Sequence, residues 1–221
     1  MNSLSFSELF GYLQTAFMET FIMVGISLVV SVILGGAFGM LLFSTREGLF
    51  WENRWVNQIS GVLINIIRSV PFIILLVLLL PVTKLLIGTS IGPLAACVSM
   101  SVASFSFFAR IVESSLNEVD KGVIEASRAF GVGNFNIIKG VLLPEALPGI
   151  YRGITILAIA LVGNSANAGM VGGGGIGDLA IRFGFYRYQT DVMFITVIIL
   201  IVLVQAIQML GDIIAKRAER K

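Results

Sequence analysis

The sequence predicts an all-α polytopic membrane protein of about five transmembrane helices, from its composition, the segregation of its charges and the alternation of basic residues between loops. Of 221 residues, 57% are hydrophobic and only 13% charged, with a mean hydropathy of +0.96. Soluble domains run at about 45–50% apolar and ~25% charged, so this mix cannot cover a water-facing surface. No Asp, Glu, Lys, Arg or His occurs in 20–45, 69–83, 85–109, 153–177 or 192–211. Roughly 18 such residues suffice for a helix to cross the ~30 Å hydrocarbon core. Four stretches reach that length alone, and 69–83 reaches it when its helix extends back through the uncharged run 55–67, enclosing Arg68. Five spans is the best count, with four and six as its neighbours.

The loops set the orientation, because short segments rich in Lys and Arg stay in the cytoplasm. Segments 44–58, 110–152 and 214–221 hold Arg46, Arg54, Arg110, Lys121, Arg128, Lys139, Arg152, Lys216, Arg217, Arg220 and Lys221. The opposite side holds only Lys84, Arg182 and Arg187, and Arg68 is left unassigned. The amino terminus is therefore expected outside and the carboxyl terminus in the cytoplasm, as an odd number of spans requires. Trp51 and Trp55 flank the first inner loop and Tyr186 and Tyr188 precede the last span, the headgroup-level positions such side chains favour. Glu8 and Glu19 precede a first apolar run too long for a signal peptide, so that span is expected to be retained.

Several classes of function are disfavoured. Basic residues form no continuous stripe and net charge is +2, so no nucleic-acid partner is expected. With no His and one Cys, a metal site is not expected. Cys97, inside an apolar stretch, reads as a small packing residue. A proton-driven transporter or channel working alone calls for intramembrane acids or an inverted repeat, and an intramembrane enzyme for a His or Asp constellation. The charge-free stretches offer none of these.

In the first span Ser27, Ser31, Gly35 and Gly39 recur every four residues, stacking small residues on one helix face. Such faces let backbones approach closely, either within the bundle or at a subunit or gate contact. The inner loop 110–152 is longer than a helix hairpin needs, and patterned. Leu116, Val119, Val123, Ala126 and Phe130 predict an amphipathic helix over 116–130. Gly131 and Gly133 interrupt it, and Asn134 is placed to cap a second short helix with Phe135, Ile138 and Leu142 on its apolar side, ended by Pro144 and Pro148. Two short helices at a glycine bend, with Glu125, Arg128 and Lys139 on the polar side, form a knob that either lies on headgroups or docks into another protein.

Glu125-Ala126-Ser127, three residues, Gly131, nine residues, then Val141-Leu142-Leu143-Pro144 resembles the EAA loop of ABC-importer permeases: Glu-Ala-Ala, three residues, Gly, nine residues, Ile, any residue, Leu, Pro. Ser127 stands for Ala and Val141 for Ile. The resemblance to the type I ABC importer fold spans roughly 17–213, leaving 1–16 as an external segment and 214–221 as a cytoplasmic basic tail. It implies that 110–152 carries a coupling helix fitting a groove on a separate ATP-binding subunit, present in two copies, which binds the ATP and Mg. No cofactor is expected in this chain. None of the five lysines ends a G-x-x-x-x-G-K-[ST] loop, and Gly172 to Gly175 has no Lys and falls on the expected outer face. Asn65 to Leu76, Gly88 to Gly92 and Leu143 to Pro148 further look like the methionine-importer permeases. That likeness implies a second copy of the chain, a substrate-binding protein on the outer face, methionine (D/L) as cargo and the bacterial cytoplasmic (inner) membrane as location. Another small neutral amino acid or a short peptide is the alternative cargo.

Asn164, Ser165 and Asn167 interrupt the fourth apolar stretch. An unpaired buried amide is costly in hydrocarbon, so these residues should face the bundle interior or a wet cavity, either on the translocation pathway or in interhelical hydrogen bonds. Arg68 should snorkel to the inner interface, the preferred reading, or line that pathway. Ser99, Ser101, Ser104 and Ser106 give the third span a similar polar content, although hydroxyls also bond back to their own helix.

Overall fold

The computed structural model describes residues 6–219. All regular structure among them is helical. The first span, α1 (Phe6–Ser44), is far longer than its charge-free run and carries Glu8 and Glu19 on helical backbone. Its residues 6–16, expected as a separate external piece, continue the same rod. A short loop leads to α2 (Arg54–Ser69), whose N-cap Asn53 accepts from the Val56 N–H.

The second span departs most from expectation. α2 and α3 (Phe72–Leu78) meet at a bend of 103° because Val70 is extended and Pro71, at the N-cap of α3, has no N–H to continue the ladder. α4 (Leu80–Ile87) follows and ends at Gly88 in the left-handed region. Among the described residues, four helices are long and apolar enough to cross a membrane, and the bent pair, taken as one span, makes five.

α5 (Pro93–Asn117) starts on a proline and runs past Arg110. α6 (Lys121–Ala129), capped by Asp120, stands apart. α7 (Asn134–Ile137), a π turn (Ile138–Leu142) and α8 (Leu143–Gly169) form one rod. Pro144 and Pro148 therefore do not end a helix. The Leu143 N–H reaches back five residues to the Ile138 carbonyl, and this one-residue bulge loosens the ladder where Pro144 would otherwise clash with it. The expected loop 110–152 thus divides: its two ends extend α5 and the rod, and only 118–133 stands off the spans.

The fourth span also lies earlier than its charge-free stretch 153–177, because Gly172, Gly174 and Gly175 take positive φ and break the chain. α9 (Gly175–Leu179) runs into a second π turn (Ala180–Phe185) before the final span, α10 (Thr190–Glu219).

The core is built around α5. Of its apolar stretch 56% is buried, against 22% for α1 and 11% for α10, so α5 is axial while α1 and α10 present most of their apolar surface outward. Phe108, Met100 and Leu116 of α5 pack with Met23 of α1 and Leu157 and Leu161 of α8. The small-residue stripe of α1 faces α5: Ser27, Ser31, Gly35 and Gly39 are all buried, and the Ser27 hydroxyl donates to the Cys97 carbonyl at 3.5 Å. The stripe is therefore spent on packing within the chain. Cys97, buried beside it, is a packing residue as expected.

Candidate functional site

Three places concentrate polar groups that the packing alone does not explain: the inner knob, a cavity at mid-height and the outer end of α1.

The knob is α6, the turn at Gly131 and α7. Gly131 has φ +75°, a conformation that side chains resist, as its place in the motif suggests. Glu125 and Ala126 are exposed, Ser127 is half-buried and its hydroxyl donates to the Val123 carbonyl. The expected apolar face splits in two. Leu116 and Val119 are buried with Ile124, whereas Val123, Val132, Phe135 (68% exposed) and Phe130 (88% exposed) point outward. Asn134 is not the cap of α7, a position Gly133 holds. Instead its Nδ2 donates to the Phe50 carbonyl at 3.0 Å. Arg128 Nη1 donates to the Gly48 carbonyl at 3.1 Å and its guanidinium stacks on the Phe50 ring. These contacts tie the knob to the first inner loop, between α1 and α2.

The second half of the motif anchors the knob from below. Val141 and Leu143 pack half-buried against the main core, and Pro144 sits exposed in the first turn of α8. A charged cluster at the foot of α5 adds stiffness. Arg110 Nη1 donates to Glu113 at 2.6 Å and its Nη2 donates to Gly61 and Asn65 of α2. Arg46 donates to Asn117 and lies 4.0 Å from the other Glu113 oxygen. Glu113 is only 8% exposed, and a buried carboxylate held between two guanidiniums resists displacement of either. By sequence alone Arg110 falls at the start of a loop and Glu113 carries no signal, yet both lie on α5.

At mid-height a cavity of about 280 Å3 lies between the α2–α3 bend, α5 and α8, and Arg68 and Asn164 both line it. The structure thus brings together two of the four residues expected on a pathway. Ser165 is buried and its hydroxyl donates to the Val162 carbonyl at 2.7 Å, a bond back to its own helix. Asn167 is exposed and does not line this cavity. Of the third-span serines, Ser104 lines it.

The outer end holds a pairing that no local pattern announced. Glu19 Oε2 accepts from the Gly175 N–H at 2.7 Å and Thr20 Oγ1 accepts from the Ile176 N–H at 2.9 Å, so α1 caps the start of α9. Positive φ at Gly174 and Gly175 aims these donors at α1. Asp178 and Arg182 form an ion pair at 2.9 Å, and with Tyr12, Thr15 and Glu19 they line an outer cavity of about 440 Å3.

Known proteins share this architecture. The probable D-methionine transport system permease protein MetI of Vibrio cholerae is 46% identical over 209 residues, covering 95% of this chain and 93% of that one. The methionine import system permease protein MetP of Bacillus subtilis is 44% identical over 181 residues, 82% of each chain. A chain of the MetNI methionine ABC transporter, solved in inward-facing conformations, superposes with a TM-score of 0.93 at 40% identity, over 97% of this chain and 99% of that one. The family described as binding-protein-dependent transport system inner membrane component matches residues 35–221. With its bent second span, axial α5 and projecting knob, the chain belongs to that family of inner membrane transport components.

Proposed function

We propose that this chain is the permease subunit of an ATP-driven methionine importer, taking up the D or L form, that works as a pair of copies with two ATPase subunits and an external binding protein. The observation that carries the coupling role is the knob: Phe130 and Phe135 stay exposed on a rigid turn while Asn134 and Arg128 bond it to the first inner loop. Exposed aromatic side chains on a braced support are what a partner's groove would anchor. Glu125, Ala126, Ser127 and Gly131 form the docking part, and Val141, Leu143 and Pro144 pass a push into α8. The chain has no ATPase site of its own in this reading, and ATP and Mg belong to the partner. Arg68 and Asn164 mark the pathway across the bundle, whereas Ser165 bonds back to its own helix and Asn167 is exposed away from that cavity.

The cargo assignment is supported by the methionine permeases and the methionine transporter that match nearly the whole chain. The orientation follows the basic residues, with the knob and the 214–221 tail in the cytoplasm and 1–16 outside. Asn2 and Lys221, the positions that test it, lie outside the described residues. Vesicles holding this chain with its ATPase and binding protein should take up labelled methionine only when ATP is supplied on the knob side. ATP-dependent uptake of another amino acid and none of methionine would overturn the cargo while leaving the permease role.

A further inference from the structure

The mid-height cavity holds a charge that the fold leaves unanswered. Ser104 lies 11 residues after Pro93 and 13 before Asn117 in α5, about 17 and 20 Å from the two ends at 1.5 Å per residue. Arg68 lines the same cavity at the bent end of α2, 14 residues beyond Arg54 at the inner start of that helix. Among the described residues no carboxylate lies within 4.0 Å of it. Arg110 shows how this fold treats a guanidinium it uses structurally: Glu113, Gly61 and Asn65 satisfy it. Arg68 is exposed and has no such partner among the described residues, so an arriving carboxylate would meet a guanidinium with its donors available.

We infer that Arg68 holds the α-carboxylate of a single amino acid in transit, an inference that rests on the permease reading. The rest of the lining suits such a cargo. Phe72, Phe107 and Ala160 offer apolar surface for an uncharged side chain, Asn164 and Ser104 offer neutral hydrogen-bonding groups, and no acid lines the cavity. A planar guanidinium matches a carboxylate with two parallel N–H···O bonds. At about 280 Å3 the space falls at the lower end of small-molecule pockets, which start near ~300 Å3, and it fits one residue rather than a peptide. A cationic side chain would meet Arg68 with no acid to offset it, so selection against basic amino acids is built into the wall.

The test uses the assembled complex with its ATPase subunits in nanodiscs, without the binding protein, carrying Cys97→Ser and Ala160→Cys. The rate at which a small thiol reagent alkylates the cavity cysteine is read against millimolar L-methionine or L-methioninol, which lacks the carboxylate. Methionine should slow alkylation at least fivefold and methioninol should leave it unchanged. Arg68→Gln should abolish the protection, and Arg68→Lys should keep part of it. Equal protection by methioninol, full protection in Arg68→Gln, or no protection by methionine with Arg68 present would each overturn the inference. ATP-driven methionine uptake by the unsubstituted complex is measured alongside in sealed vesicles, with the binding protein supplied. Uptake without Arg68-dependent protection defeats the carboxylate site alone, whereas no uptake of any amino acid defeats the permease reading on which it stands.

Discussion

The seam between α1 and α5 and the knob beyond α5 both depend on glycine, for opposite reasons. At the seam a Cβ on Gly39 would lie 2.6 Å from the Ala109 carbonyl and 2.6 Å from the Val112 Cβ, and one on Gly35 would lie 2.7 Å from the Phe105 carbonyl. Space is the constraint there. At the knob a Cβ on Gly131 would meet nothing within 4 Å, and the constraint is the backbone, at φ +75°. The seam buries small residues so that two backbones touch, and the knob leaves large apolar ones unburied. One region is finished within the chain, and the other, in the proposed function, is where a partner docks.

The largest expected effect comes from filling the seam. Gly39→Leu puts four carbons where none fits, and the overlap is with backbone, so the cost exceeds the ~1–3 kcal/mol of ordinary overpacking. The protein should lose its monodisperse peak in size-exclusion chromatography after extraction. A Gly39→Leu variant that stays monodisperse with an unchanged melting temperature would show that the seam yields more than its geometry allows.

Substitution at the knob should leave the bundle standing and break its coupling. Gly131→Val has room but forces a β-branched residue to positive φ, costing about 1–3 kcal/mol locally, and Glu125→Lys reverses an exposed charge. Both should insert, fold and assemble in amounts near those of the unsubstituted chain, yet lose most of the substrate stimulation of ATPase activity. Normal stimulation in both would remove the knob from the coupling path and reduce the contrast with the seam to one of packing.

A gentler pair separates docking from turn geometry. Phe130→Ala and Phe135→Ala remove exposed rings, so the isolated permease should melt within about 0.5 kcal/mol of its usual stability, the ordinary range for surface changes. Binding of the ATPase subunit should weaken about tenfold for the double variant, ~1.4 kcal/mol. Unchanged ATPase binding would mean that the two rings face lipid headgroups.

How much of this was legible follows from how local each feature is. The seam and the knob were readable because their signals repeat within one turn or one motif: small residues every fourth position, and glycine at a fixed distance from Glu125. The span boundaries were less so. Lys139, Glu145 and Arg152 lie inside the rod Asn134–Gly169 as exposed residues, so counting charge-free residues shifted that span toward the glycine run. Pro144 read as a terminator because a π turn leaves no mark in composition. The Arg68–Asn164 cavity and the cap of Glu19 on Gly175, 156 residues apart in sequence, arise only when distant helices meet. Glu19 precedes the first charge-free run in sequence, yet it lies within α1.

That cap is expected to bear on stability alone, leaving coupling untouched, and places the outer end between the two extremes. Like the seam it is finished within the chain, since Glu19 and Thr20 satisfy the donors of Gly175 and Ile176. Like the knob it sits beside an open cavity, shared with Asp178 and Arg182. Glu19→Ala orphans the Gly175 N–H and should cost about 1–3 kcal/mol, which at ~2–4 °C per kcal/mol for a chain of this size is a melting-temperature drop of at least about 2 °C. Glu19→Gln keeps an acceptor oxygen and should recover about half of that, because a neutral acceptor is weaker than a charged one. ATPase coupling through the knob should survive both substitutions, because none of the bonds bracing it involves α9. A Glu19→Ala protein that melts normally would mean that water replaces the carboxylate at no cost, so that the outer end is held by the packing of Ile176, Leu179 and Phe183 against Ala16. Equal losses in the Ala and Gln variants would show that the negative charge, rather than the acceptor, fastens α1 to α9.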